Sequence, residues 1–314
     1  AVFNLLELSE KKVSYGIDTE EFDIKVSYVI SDNGVEREIH LVNKTDKKGK
    51  TKDFIKLENF KVLMLGDAIG TPGLEQIYMK LPKILKESEV DLVIANGENS
   101  DEGFGITEEI YDQLLDYGID VVTSGNHIWS NADAGEILEK NDRLLRPHNY
   151  YDAPGKGWWR GIVNDVDVGV VNLLGRYFMT PVDCPFQTLE KLLENELSGC
   201  KIVIVDFHAE YMNEKKALAA DFDGKVSFVA CTHTHVQTAD EVIFRKGTGY
   251  ITDIGMCGGI DSVIGMERSA ILQKIKRQVT QPYIPSVENG KMQGVFVDID
   301  CNTGKTLAIK RLSI

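Results

Sequence analysis

From Phe60 onward, short apolar runs alternate with stretches of helical periodicity, and this pattern limits the fold more than any other feature of the chain. The runs are Lys61–Leu65, Leu92–Ala95, Val121–Thr123, Val168–Leu173, Ile202–Val205 and Val226–Ala230. Helical patterns fall between them near residues 74–87, 107–117, 131–140, 186–197 and 212–221. Strands that are apolar throughout must be covered on both faces, so the alternation predicts a layered α/β domain with much of its sheet buried. Further β-rich runs occur at Gly249–Thr252, Gly294–Ile299 and Thr306–Leu312. There is no internal repeat of fixed period.

Residues 1–59 read differently and are expected to form a small β-rich extension, followed by a main domain over 60–314. Asp23–Ile30 and Val35–Val42 are β-rich, and Ser31-Asp32-Asn33-Gly34 between them carries the Asn-Gly signal of a hairpin. His40 sits in the second of these strands and reads as structural. The lysine-rich stretch Lys44–Asp53 reads as a solvated linker.

The formal net charge is −14. Proteins that grip long nucleic acid neutralise phosphates with a basic stripe, and none is visible here, so no long nucleic-acid partner is expected. A small anionic substrate remains compatible, because a bound cation supplies local positive charge. The five cysteines, Cys184, Cys200, Cys231, Cys257 and Cys301, form no CxxC pair. That argues against a disulfide framework and a structural zinc site. Residues Ala1–Leu6 lack the basic start and long apolar core of a signal peptide, and no apolar run is long enough to cross a bilayer. A cytoplasmic protein without a membrane partner is the expectation, with a homo-oligomer left open.

The polar residues that follow the apolar runs carry the chemistry. Gly66-Asp67 follows the first run, Asn96-Gly97-Glu98-Asn99 the second, and Ser124-Gly125-Asn126-His127 the third. Asp206-Phe207-His208 follows Val205, and Cys231-Thr232-His233-Thr234-His235 follows Ala230. Ligands bind at the C-terminal edge of open α/β sheets, so these groups converge if the strands share one sheet. A lone strand-end Asp is more often a helix cap, and a lone His is more often structural. His-x-His is stronger, because alternate residues of an extended segment project from one face. Of six histidines in the chain, four (His127, His208, His233 and His235) fall at these positions.

The candidate metal ligands are Asp67, Glu98, Asn99, Asn126, His208, His233 and His235. They offer oxygen and nitrogen without thiolate, which suits manganese, iron or zinc better than calcium. They are too many for one tetrahedral zinc and fit two neighbouring divalent ions sharing one carboxylate. Such a centre stays net positive, attracts phosphate, and generates hydroxide at neutral pH.

Phe60–Ile314 resembles the YmdB-type branch of the calcineurin-like metallophosphoesterases. The matching segments include LGDAIGTPG (65–73), ANGENSDEGFGIT (95–107), SGNHIW (124–129), NLLGRYF (172–178), VDFHAE (205–210), THTHVQTAD (232–240) and YITDIGMCGG (250–259). RPHNY (146–150) and PGKGW (154–158) also match. The resemblance implies a layered α/β sandwich of the metallophosphoesterase type with two divalent metal ions, iron or manganese first and zinc as the alternative. It implies Asp67, Glu98, Asn99 and His235 at one metal, and Glu98, Asn126, His208 and His233 at the other, with His127 as proton donor. The activity it implies is hydrolysis of a small phosphodiester, a 2′,3′- or 3′,5′-cyclic nucleotide, by a metal-bridging hydroxide. Glu210 is placed either behind the ligands or facing solvent.

The chain departs from the family pattern at several positions. Cys231 stands where a glycine is usual and is expected to pack in the core, while His148 replaces a small residue and is expected at the surface. Cys184 and Cys257 are expected to be oxidation-sensitive near the site. The rival readings are a phosphomonoesterase or protein phosphatase using the same centre, and a metal-bound scaffold without turnover. The glycines at 66, 70 and 73 also suggest a phosphate loop, but the GxGxxG order is missing and the histidines would be left unexplained.

Overall fold

The computed structural model describes residues 59–314 in full, and the strands 4–9, 12–18, 22–31 and 34–43 by their backbone. The chain divides into two units, Ala1–Glu58 and Asn59–Ile314. In the first, Asn4–Ser9 (β1), Lys12–Asp18 (β2), Phe22–Ser31 (β3) and Gly34–Asn43 (β4) form an antiparallel sheet in chain order. The predicted hairpin corresponds to β3 and β4, whose last register pair is Ser31 with Gly34. The stretch read as a linker, 44–53, and the side chain of His40 lie outside the described residues.

The second unit contains two sheets. One runs through Asn59–Leu65 (β5), Asp67–Ala68 (β6), Leu92–Asn96 (β7) and Val121–Thr123 (β8). The other collects Trp158–Val163 (β9), Val166–Leu174 (β10), Ile202–His208 (β11), Phe228–Thr232 (β12), Val242–Ile243 (β13) and Gly249–Ile251 (β14). Met256–Gly259 (β15), Gly290–Asp300 (β16) and Thr306–Ser313 (β17) return to the first sheet. Its order is β6-β15-β16-β5-β7-β8, with β17 on β16, and the second sheet runs β13-β14-β12-β11-β10-β9. The strands delivering the candidate ligands therefore do not share one sheet, the condition under which the sequence made their convergence follow. β5, β7 and β8 are parallel in one, and β10, β11 and β12 are parallel in the other.

Strand alternation explains the layering. Val62, Met64, Leu92 and Ile94 pack with Val168, Val170, Ile202 and Ile204 in a core between the sheets. Leu63, Leu65, Val93 and Ala95 point the other way, onto the helices Gly70–Glu87 (α1), Glu108–Asp116 (α2) and Ala134–Lys140 (α3). On the far side Val171, Leu173, Val203, Val205 and Phe207 pack on Pro185–Glu194 (α4) and Met212–Asp221 (α5). The result is the layered α/β sandwich expected, ordered helix, sheet, sheet, helix. A sixth helix, Arg268–Arg277 (α6), buries only Ala270 and Ile271 on its own length. Among the described residues no helix is long and apolar enough to cross a membrane.

The glycines of the suggested phosphate loop have a packing role. A side chain at Gly66 would overlap the Gly255 carbonyl, and one at Gly73 would press on the Cys257 carbonyl. Both let β5 and α1 close onto the 255–257 segment. Cys231 is fully buried in the outer core, as expected. His148 is not a surface residue: it is half-buried, its backbone amide donates to Asn172 O at 2.8 Å, and its Nδ1 is buried without a hydrogen-bond partner.

Candidate metal centre

The parallel strands of both sheets end on the same side, and their last residues meet. Glu98, His208 and His233 each bring a donor atom within 4.8 Å of the others. Glu98 comes from the turn after β7, His208 from the last position of β11, and His233 from the loop after β12. His208 Nε2 lies 3.0 Å from Glu98 Oε1 and 2.9 Å from His233 Nδ1. Asp67, fully buried at the start of β6, places Oδ1 3.7 Å from His235 Nε2. Asn99 Nδ2 lies 3.4 Å from Asp67 Oδ1, 3.2 Å from Glu98 Oε1 and 3.3 Å from His235 Nε2. Asn126 lies between Gly125 and His127, both of which meet Glu98. His127 N donates to Glu98 Oε2 at 2.9 Å, and a side chain at Gly125 would overlap that oxygen and the His208 ring.

Surrounding groups fix which ring nitrogen faces the centre. His208 Nδ1 lies 2.9 Å from Thr232 Oγ1, which donates to Asp206 Oδ1 at 2.7 Å. Asp206 also accepts from Thr123 Oγ1 and Asn96 Nδ2 at 2.5 and 3.1 Å. His235 Nδ1 lies 2.8 Å from the Ile264 carbonyl, so it donates there and leaves Nε2 facing Asp67. His233 Nε2 is 3.2 Å from Glu210 Oε2, which leaves Nδ1 facing His208. Glu210 thus touches His233 while its side chain stays half exposed, so it combines the two placements left open by the sequence. His233 and His235 hold φ of 103° and 63°, conformations costly for residues with a Cβ. Asp253 enforces that loop: Oδ2 accepts from Thr234 N at 3.0 Å and Thr234 Oγ1 at 2.8 Å, and pairs with Lys215 Nζ at 3.1 Å.

Charge is unevenly held in this cluster. Burial opposes a charge on His208, but Glu98, Asp67 and Asp206 outweigh it and raise its pKa to about 9. Burial likewise opposes the Glu98 anion, yet the His208 charge and hydrogen bond and His127 bring Glu98 down to about 2. Burial raises Asp67 to about 6, partly offset by His235 and His208. Burial, reinforced by neighbouring His208, lowers His233 to about 3. His127 is lowered by burial, with Glu98 opposing. Its ring packs edge-on against Phe104 at 4.9 Å, and Phe104 stacks on Tyr283 at 5.9 Å.

These residues suit divalent cations. Three imidazoles and two carboxylates gather there, and Asn126 Oδ1 is buried with no hydrogen-bond partner. A buried carbonyl oxygen left unpaired is unfavourable unless something else satisfies it. A half-turn of the Asn99 amide would bring its oxygen to where its nitrogen stands.

Two packed sheets flanked by helices, with carboxylate, amide and imidazole groups at their joined strand ends, define the metallophosphoesterase type of fold. Residues 63–312 match the family described as YmdB-like protein. The Bacillus subtilis (strain 168) protein named 2′,3′-cyclic-nucleotide 2′-phosphodiesterase is 38% identical over 255 residues, covering 81% of this chain and 97% of that protein. A solved structure of a Thermus thermophilus protein is 38% identical with a TM-score of 0.75, covering 81% and 99% of the two chains. A solved phosphatase from Mycoplasma pneumoniae is 33% identical with a TM-score of 0.78, covering 82% and 94%. The chain belongs to the YmdB-like family, and is a phosphoester hydrolase.

Thr232, Lys215 and Asp253 behind the ligands, and Phe104 against His127, were not singled out from the sequence, and Asp206 was noted at a strand end without a role. Strand alternation offered one signal, since Asp206 and His208 are two apart in β11 and share a face.

Proposed function

We propose that the protein hydrolyses a small cyclic phosphodiester, a 2′,3′-cyclic nucleotide first, at a centre of two divalent cations. The observation that carries this reading is the convergence of Glu98, His208 and His233 from both sheets, with Asn126 Oδ1 buried and unpartnered in the segment whose neighbouring His127 N donates to Glu98. Asp67, Asn99 and His235 would hold one cation, and Asn126, His208 and His233 the other, with Glu98 between them. Iron or manganese suits this oxygen and nitrogen set, with zinc as the alternative. Cations bound there supply Lewis acidity to phosphoryl oxygens and a water nucleophile at neutral pH.

The chain's own residues do the rest. Thr232 and Asp206, Glu210, and the Ile264 carbonyl orient His208, His233 and His235. In this reading His127 protonates the leaving ribose oxygen. Burial makes its ring a readier acid, and Glu98 and Phe104 fix its position. General acid catalysis of this kind contributes about 10²- to 10⁴-fold. The Bacillus subtilis relative, a 2′,3′-cyclic-nucleotide 2′-phosphodiesterase by name, favours the cyclic diester over a phosphomonoester.

The test uses protein purified without chelator. Its metal content is measured, and it is assayed with added Mn²⁺ on 2′,3′-cyclic AMP, bis-p-nitrophenyl phosphate and a phosphomonoester. About two metals per chain and diester hydrolysis are expected, with turnover strongly reduced but metal retained in His127→Ala. Preference for the monoester would replace the substrate reading. Metal loading without turnover on any of the three would favour a scaffold, and no loading at all would remove the centre.

A further inference from the structure

The loop after β10 is tied to the candidate metal centre through its backbone. Gly175 N donates to His208 O at 2.9 Å. The next amides, Arg176 N and Tyr177 N, donate to the Glu214 carboxylate at 3.0 and 3.2 Å. Glu214 is itself buried in the first turn of α5. A side chain at Gly175 would run into Ala209 and Glu214, so the loop depends on close approach. Phe178 follows with φ of 64°, a strained conformation for a bulky residue.

This construction turns aromatic rings outward. Phe178 is 82% exposed and Tyr177 56% exposed. Both pack against Tyr211, with centroids 5.9 and 5.3 Å away. Tyr211 directly follows Glu210, the carboxylate 3.2 Å from His233 Nε2. Core packing does not account for rings this exposed. Exposed apolar patches mark contact sites, and backbone strain of this kind clusters at ligand clamps.

We propose that Tyr177, Phe178 and Tyr211 form a ledge on which the base of a nucleotide substrate stacks while its phosphate enters the centre bordered by His233. The proposal deepens the cyclic-nucleotide reading above and rests on it. Every base has a π face, so stacking here selects nucleotides over base-free phosphodiesters without choosing among bases. The ledge is fixed in advance by Glu214 and His208, so little ordering is needed on binding.

The test compares the wild type with Phe178→Ala and Tyr211→Ala, and with Phe178→Tyr, which keeps an aromatic face. Mn²⁺-loaded enzyme is assayed on 2′,3′-cyclic AMP and on the base-free diester glycerol 1,2-cyclic phosphate. Calorimetry separately measures binding of adenosine 3′-monophosphate and ribose 5-phosphate. In each alanine variant KM for the nucleotide should rise about tenfold with kcat unchanged. Adenosine monophosphate should weaken by a similar factor, while both base-free ligands stay as in the wild type, and Phe178→Tyr should stay close to wild type throughout. Equal losses on nucleotide and base-free ligands, or no loss on the nucleotide, would overturn the ledge while leaving hydrolysis intact. If the wild type turns over neither diester yet binds adenosine monophosphate in a ledge-dependent way, the ledge stands and the hydrolysis reading falls.

Discussion

His208 and Thr232 are register partners in β11 and β12, and the imidazole Nδ1 lies 2.9 Å from the threonine hydroxyl. The hydroxyl donates onward to Asp206 at 2.7 Å, so it accepts from Nδ1–H and leaves Nε2 turned to Glu98. Thr232→Val keeps the shape and removes the acceptor. Losing such a partner behind a metal-ligating histidine costs about 10- to 100-fold in metal affinity. Titration of metal-free protein with Mn²⁺ should show that loss in Thr232→Val and little of it in Thr232→Ser. Equal affinity in all three proteins would mean that the ring is held by packing alone.

Lys215 and Asp253 form an ion pair with both side chains fully buried. The lysine also donates to the Thr232 carbonyl at 2.9 Å, and the aspartate holds Thr234 between the two strained histidines. Removing one partner leaves the other charge buried and alone, which costs about 3–5 kcal/mol. Lys215→Met should lose that much in denaturant unfolding, and Lys215→Met combined with Asp253→Asn should lose less than the two single losses added together. Simple additivity would show that the pair is not coupled.

Much of this arrangement was legible in the sequence, and the gaps have physical causes. The helix expected over 212–221 is α5, and that over 107–117 is α2, where Thr107 accepts from Ile110 N at 3.2 Å as an N-cap. α1 starts at Gly70, four residues before its expected start, since Gly70, Pro72 and Gly73 are residue types that local pattern does not assign to a helix. In the structure Pro72 lies in the first turn, where its missing N–H costs nothing. α6 was not anticipated, since a helix burying only two residues of its own has almost no apolar stripe to detect. The strand-end ligand candidates stood out because their residue types break apolar runs. Thr232, Lys215 and Asp253 did not, because their roles depend on partners across strands, and register is not written in local pattern.

Cys257 corrects an expectation. It is fully buried between α1 and β16, and burial pushes its thiol up to about 12, so little thiolate exists at neutral pH. Cys231 is raised further still by burial. Neither should be oxidation-sensitive in the folded protein. Native labelling with a thiol-specific disulfide reagent should reach half-buried Cys184 well before Cys231 or Cys257, which should react only on unfolding. Early modification of Cys257 in the native state would contradict this placement.

Proton release should report cation binding. In the free centre, burial disfavours a charge on His208, but Glu98 and its neighbours hold the pKa at about 9, so the ring is protonated at neutral pH. A cation needs Nε2 without its proton, so binding must displace it. The sign follows: the proton competes wherever pH is below about 9, and affinity should rise with pH and level off above that value. Asp67, raised to about 6 mainly by burial, adds a second competing proton below that pH and steepens the fall. Calorimetric titration with Mn²⁺ at pH 7, in two buffers of different ionisation enthalpy, should give about one proton per chain from His208, on top of whatever bound water releases. In His208→Gln the release should fall by about one proton, together with most of the affinity. Proton-free binding in the wild type would place the cation away from His208.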